Sequence, residues 1–294
     1  MCRRIDTILR HDTVSNFSCG SVVSNFIVGT VMKRIIIALA VLLGVTFANA
    51  QTPVPKREFR GVWISTVVNI DWPANNTLTT QRQQSDMIAM LDKLAAAGFN
   101  AVMFQIRSES DAMYDSPYEP WSYWLTGQQG RSPSPYYDPL AFVVAEAHKR
   151  GLEVHAWLNP YRVERAAGNY PTDAKHVSKQ HPEWVLQIGT IRILNPGLQA
   201  VRDYVAKVVG DVVRRYDVDG AHMDDYFYTE GITTQDAAAY AADARGLSLG
   251  DWRRDNVNRL VKQIDDTINA IKPNVRWGMS PAGTWKDGVP TYGV

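Results

Sequence analysis

The sequence predicts an α/β fold of the (β/α)8 barrel type, cut short after about five βα units. Short apolar segments that suit strands covered on both faces alternate with longer segments whose apolar residues recur at helical spacing. No glycine-rich phosphate loop follows an early strand, which weighs against an open doubly wound sheet. Several strand candidates also end in polar or aromatic residues, as strands do at the carboxyl-terminal face of a barrel. These are Arg107, Glu109 and Asp111; Asn159, Tyr161 and Arg162; and Asp224, Asp225 and Tyr226.

The strand candidates are "FRGVWIST" (59–66), "AVMFQIR" (101–107), "LEVHAWLNP" (152–160), "GAHMDDYFY" (220–228) and "VRWGMSPAG" (275–283). Helices are expected between them. "TTQRQQSDMIAMLDKLAAAGFN" carries Met87, Met90, Leu91 and Leu94 on one face and stops at Gly98. "DPLAFVVAEAHKRG" opens on Asp138 as a cap with Pro139 in the first turn, and closes at Gly151. "NPGLQAVRDYVAKVVGDVVRRYD" and "GDWRRDNVNRLVKQIDDTINAIKP" repeat the pattern, the second halted by Pro273. Repeated βα units imply a parallel sheet with right-handed crossovers. Three stretches, 111–137, 163–195 and 229–250, read as long loops and leave room for about five units rather than eight.

The amino terminus divides into an extension and a signal. From Met32 the chain reads "MKRIIIALAVLLGVTFANAQ", in which Lys33 and Arg34 precede an apolar core and Ala48-Asn49-Ala50 forms a small-x-small cleavage site. Residues 32–50 are therefore expected to be a secretory signal peptide, and residues 1–31 a spurious extension ahead of the true start. Residues 51–294 are then the amino-terminal part of a catalytic barrel domain. Both cysteines, Cys2 and Cys19, fall in the extension, so the mature chain uses neither a disulfide framework nor a thiol nucleophile. The expected location is across the inner membrane: periplasmic, envelope-associated or extracellular. With a net charge of +1 and no long single-sign run, neither nucleic acid nor an anionic membrane is the expected partner.

Along "GAHMDDYFY" the side chains alternate, placing His222 and Asp224 on one face and Met223 and Asp225 on the other. Asp224 is the acid expected to meet a substrate at the barrel mouth, with Asp225 supporting it. Two adjacent acids in an apolar and aromatic run are costly to bury without a role. Glu109 is a further candidate acid/base. In "HAWLNPYR", Asn159 can hold a substrate hydroxyl or the catalytic carboxylate, and Arg162 can keep a neighbouring acid ionised. Arg107, His155, Tyr161, His222, Tyr226 and Trp124 complete the expected lining. Many of the aromatics lie in predicted loops, where flat rings beside carboxylates and amides suit a saccharide groove. No close histidine pair, calcium loop or G-x-S-x-G elbow is present, so no metal or cofactor is expected and carboxylate chemistry on a glycosidic bond remains.

"REFRGVWISTVVNIDWP", "YEPWSYWLTGQQG", "DPLAFVVAEAHKRGLEVHAWLNPYR", "DGAHMDDYFY" and "WGMSPAGTWKDG", five blocks in order, resemble the bacterial glycosyl-hydrolase-like 10 family. The resemblance implies a TIM-barrel fold of the glycosidase type and a secreted hydrolase acting on peptidoglycan strands stripped of stem peptides. "DGAHMDD" is also similar to the fourth-strand signature of α-amylase-type barrels, which implies Asp224 as nucleophile. Those barrels carry a glutamate acid after strand five, where this chain reads "MSPAGTWKD" and first offers a carboxylate at Asp287. The expected partner is a polysaccharide or glycan strand. The competing expectations are a glycan-binding envelope protein without turnover, or a hydrolase of another polysaccharide such as an α-glucan.

Overall fold

The computed structural model describes residues 58–224 and 227–281. The signal segment, Asp225, Tyr226 and Asp287 lie outside the described residues. Among the described residues there are eight strands: β1 (Gly61–Ile64), β2 (Ala101–Arg107), β3 (Glu153–Leu158), β4 (Arg162–Glu164), β5 (Val185–Ile188), β6 (Ile191–Leu194), β7 (Gly220–Met223) and β8 (Arg276–Met279). The helices are α1 (Thr80–Ala96), α2 (Tyr123–Thr126), α3 (Pro139–His148), α4 (Val177–Gln180), α5 (Gln199–Arg215), α6 (Ala237–Ala242) and α7 (Leu249–Ile271).

Local chemistry sets the long helices. The Thr79 side chain caps α1 by accepting from the Arg82 N–H at 3.2 Å, and Gln83, Met87 and Leu91 form its buried stripe. Gly98, at φ +83°, then turns the chain back into the sheet. Asp138 caps α3 through Ala141 N–H at 3.0 Å, with Pro139 in the first turn, where its missing N–H costs nothing. Ser248 caps α7 through Asp251 N–H at 3.2 Å. Helices α5 and α7 approach closely at Gly210, where a Cβ would stand 3.0 Å from the Thr267 methyl.

The five long-range strands pair in the order β1-β2-β3-β7-β8, all parallel. Spatial order follows chain order without reversal, which is the winding of a barrel and not of a doubly wound sheet. The described strands form an open arc of it. Two intervening strands separate β1 from β7, so a flat sheet would put them ~14 Å apart. Yet Trp63 Nε1 on β1 donates to His222 Nε2 on β7 at 3.3 Å, and the two rings meet edge to face. The sheet therefore curls around its inner face.

Register divides the residues cleanly between the two faces. Val102, Phe104, Ile106, Val154, Ala156, Leu158, Ala221 and Met223 point outward into the apolar core beneath the helices. Trp63, Met103, Gln105, His155, Trp157 and His222 share the other face. This alternation gives the fold one apolar layer and one polar-aromatic lining. As expected, His222 and Asp224 lie on the inner side.

Two expectations need correction. The stretch 163–195, read as a loop, holds most of an antiparallel three-stranded sheet ordered β4-β6-β5, with β5 and β6 joined across Gly189-Thr190. Its strands have three or four residues, too short for a convincing periodicity, and the two-residue Gly-led hairpin turn was the available signal. The strand read over 220–228 ends at Met223, so Asp224 sits just past the ladder. Among the described residues no helix is long and apolar enough to cross a membrane.

Candidate active site

Asp224 lies at the carboxyl-terminal end of β7 and is 9% exposed. Asn159, one residue past β3, donates its amide nitrogen to both carboxylate oxygens, at 2.7 and 2.8 Å. The Asn159 oxygen accepts in turn from Gln105 Nε2 on β2 at 2.6 Å. The Gln105 oxygen receives the peptide N–H groups of Thr66 and Val67, at 2.8 and 2.9 Å, just beyond β1. Four adjacent strand ends are thus joined by one line of hydrogen bonds. Its direction is not free, because peptide N–H groups can only donate. They fix the Gln105 amide, which fixes the Asn159 amide, which presents N–H to Asp224. Gln105 and Asn159 are fully buried, so each unmade bond would leave a costly orphan.

Of the other expected site residues, Arg162 joins this group. Its Nη1 lies 3.5 Å from Asn159 Oδ1, and its carbonyl accepts from Ser110 Oγ at 2.8 Å. Arg107 is enclosed instead. A register shift after Gln105 brings Arg107 opposite Leu158, and its guanidinium pairs with Glu119 at 2.7 Å, both side chains fully buried. Arg107 also donates to Ser110 Oγ and to the carbonyls of Asn159 and Pro160. Its role is to hold the β2 and β3 loop ends beneath the site. Tyr161 is buried in the apolar core against Phe227, and burial pushes its phenol up.

Glu109 is not part of the Asp224 network. Its carboxylate accepts from Trp124 Nε1 (2.8 Å), Tyr170 OH (2.8 Å) and Arg165 N–H (2.7 Å), while its carbonyl meets His176 Nε2 at 2.9 Å. Burial and the neighbouring Asp111 push its carboxyl above the usual range. Trp124 is therefore engaged with Glu109, and the pair ties three loops together. Glu109→Gln is expected to lower the unfolding free energy by ~1–3 kcal/mol, read as a lower denaturation midpoint, since one of three donors would meet an amide N–H. Turnover should change by only a few-fold; a loss beyond ~100-fold with an unchanged midpoint would make Glu109 part of the chemistry instead.

The two inner-face histidines lie deeper. His155, near the start of β3, contacts Glu153 at 3.2 Å and packs edge-on against Phe59. His222 is lowered to about 4 by burial, with His155 adding to it. Its Nε2 accepts from Trp63, so the neutral ring is the bonded form. Protons are then taken up by the unfolded chain and not by the native one as pH falls from ~6.5 to about 4. Stability should fall across that window by up to a few kcal/mol, and His222→Gln should flatten the fall in a denaturation series. An unchanged slope would contradict the buried neutral ring.

Sequence reasoning passed over Gln105, Glu119, Tyr170 and His176. Gln105 had a readable signal, a lone amide inside the apolar run "AVMFQIR", which burial allows only with partners. Tyr170 and His176 come from the segment between β4 and β5, and Glu119 from a loop that meets Arg107 and Tyr204.

A sequence model described as "Glycosyl hydrolase-like 10" matches residues 58–292. The chain belongs to this family. The glycosyl hydrolase YngK of Bacillus subtilis (strain 168) is 44% identical over 264 residues, which cover 86% of this chain and 51% of that protein. The glycosyl hydrolase DigH of Escherichia coli (strain K12) is 39% identical over 259 residues, covering 81% of this chain and 58% of that protein. This glycosyl-hydrolase-like 10 chain thus spans about half the length of the relatives it matches. Among solved structures, α-L-fucosidase isoenzyme 2 from Paenibacillus thiaminolyticus is similar at 16% identity and a TM-score of 0.49, over 75% of this chain and 32% of that one. That likeness bears on neither substrate nor mechanism.

Proposed function

We propose that the protein is a glycoside hydrolase acting within the strands of bacterial cell-wall glycan from which stem peptides have been removed. The observation that carries this is Asp224, held at a strand end on the inner face by an amide pair whose polarity is set three strands away. A carboxylate so oriented can attack an anomeric carbon or stabilise the positive charge that develops there. Asp224 acts as nucleophile or charge stabiliser, and Asn159 with Arg162 positions it. The second carboxylate that such a reaction needs is Asp287 or a group beyond these residues. A separation of ~5–5.5 Å from Asp224 would accompany retention, and ~6.5–9.5 Å inversion.

Membership of a family of glycosyl hydrolases supports the reaction class. The signal-like segment from Met32 supports export to the periplasm, the envelope or the exterior, where such strands occur. The natural gene product, incubated with amidase-stripped strands, should release short saccharides seen by mass spectrometry. Strand binding without release would favour a glycan-binding protein, and release only from α-glucan would move the substrate.

A further inference from the structure

Between the antiparallel sheet and the segment after Asp224 lies a cavity of about 260 Å3. Ile191 and Ile193 on β6 form one apolar wall, and Phe227 and Tyr228, three and four residues past Asp224, form the other. Among the described residues, its remaining lining is Arg162, Arg165 and Thr229. We propose that this cavity is a subsite for a sugar bearing a free carboxylate, gripped by Arg165 beside the reacting bond.

Among the described residues the lining carries two cations and no acid. Two described carboxylates close in sequence to Arg165 or bonded to it, Glu164 and Glu109, have other partners. Glu164, on β4 between the arginines, pairs with Arg192 at 2.9 Å and accepts from Thr172 at 3.1 Å. Glu109 takes Trp124, Tyr170 and the Arg165 peptide N–H. That last bond anchors the Arg165 backbone while its side chain stays exposed, and among the described residues its guanidinium forms no ion pair. Arg162 is buried at the floor and reaches toward Asn159.

Guanidinium groups match carboxylates in plane and in paired N–H spacing, and apolar walls strengthen the contact by excluding water. The rings of Phe227 and Tyr228 suit the C–H face of a sugar. Resting on the function proposed above, the occupant is a peptide-free wall sugar whose lactyl ether ends in a carboxylate. With a stem peptide attached, that group is an amide, without charge and with added bulk. The cavity would then select stripped strands by reading the acid that stripping exposes.

The test uses the full natural chain carrying Asp224→Asn, so that binding is read without cleavage. Calorimetric titration would compare a peptide-free tetrasaccharide, the same strand with its lactyl carboxyls converted to methyl amides, and an oligogalacturonide of equal length. The amidated strand should bind at least about tenfold more weakly than the acid. Arg165→Ala, which keeps the peptide N–H used by Glu109, should weaken the acid strand by a similar factor and leave the amidated one unchanged. Equal affinity for acid and amide, or equal loss for both, overturns the subsite. Arg165-dependent binding of the oligogalacturonide alone keeps a carboxylate subsite but overturns the cell-wall substrate. No binding by any probe overturns the subsite as well.

Discussion

Asp224→Asn is expected to lower saccharide release by roughly 10³-fold, about 4 kcal/mol of transition-state stabilisation, with strand affinity kept within a few-fold. The carboxylate and the amide are nearly isosteric, so Asn159 can still donate to the oxygen of residue 224 and the site keeps its shape. What is lost is a negative charge where positive charge develops on the sugar. A uniform fall in affinity with turnover preserved would mean that Asp224 only binds. Single-turnover release, measured beside equilibrium binding on the same strands, separates the two cases. Asn159→Leu should show part of the same loss, because it leaves the carboxylate buried with two donor contacts missing.

Arg107→Met destabilises the protein by ~3–5 kcal/mol, read as a shift in denaturant midpoint at constant slope. The reason is the partner left behind. Glu119 is as fully enclosed as Arg107 and would retain the Tyr204 hydroxyl at 3.0 Å. The carbonyls of Asn159 and Pro160 would lose their donors too, loosening the end of β3. Arg107→Met with Glu119→Leu should recover much of the loss, since removing both charges also removes the uncompensated one. If the single variant were as stable as the parent, the buried pair would not be what holds these loops.

The βα alternation was legible from the apolar spacing of the long helices and from the Asp138 cap and the Gly98 and Gly151 stops; Thr79 and Ser248 also cap their helices, while α5 starts at Leu198 with no side-chain cap. The opposite faces of His222 and Met223 on β7 followed from the two-residue period of a strand. The β4-β6-β5 sheet was not legible, since strands of three or four residues owe their form to pairing partners rather than to pattern. At the site, Asp224 and Asn159 stood out as polar residues at strand ends. The roles of Arg107 and Glu109 did not, because a one-residue register shift and a buried Glu119 decide the first, and loops 61 residues apart meet to decide the second.

The amides of Gln105 and Asn159 form the line of hydrogen bonds that ends on Asp224. Gln105→Glu reverses the line of hydrogen bonds without changing its length. A carboxylate at 105 still accepts from Thr66 and Val67 but has no N–H for Asn159, which must turn its own N–H toward residue 105 and its oxygen toward Asp224. Asp224 would then face an acceptor and bond to it only when carrying a proton. The measurement is the pH dependence of kcat/KM for this variant beside the parent and Gln105→Met, which cuts the line without reversing it. An acid limb moved upward by a pH unit or more is expected in Gln105→Glu alone. An acid limb that stays in place, with activity preserved, would contradict it.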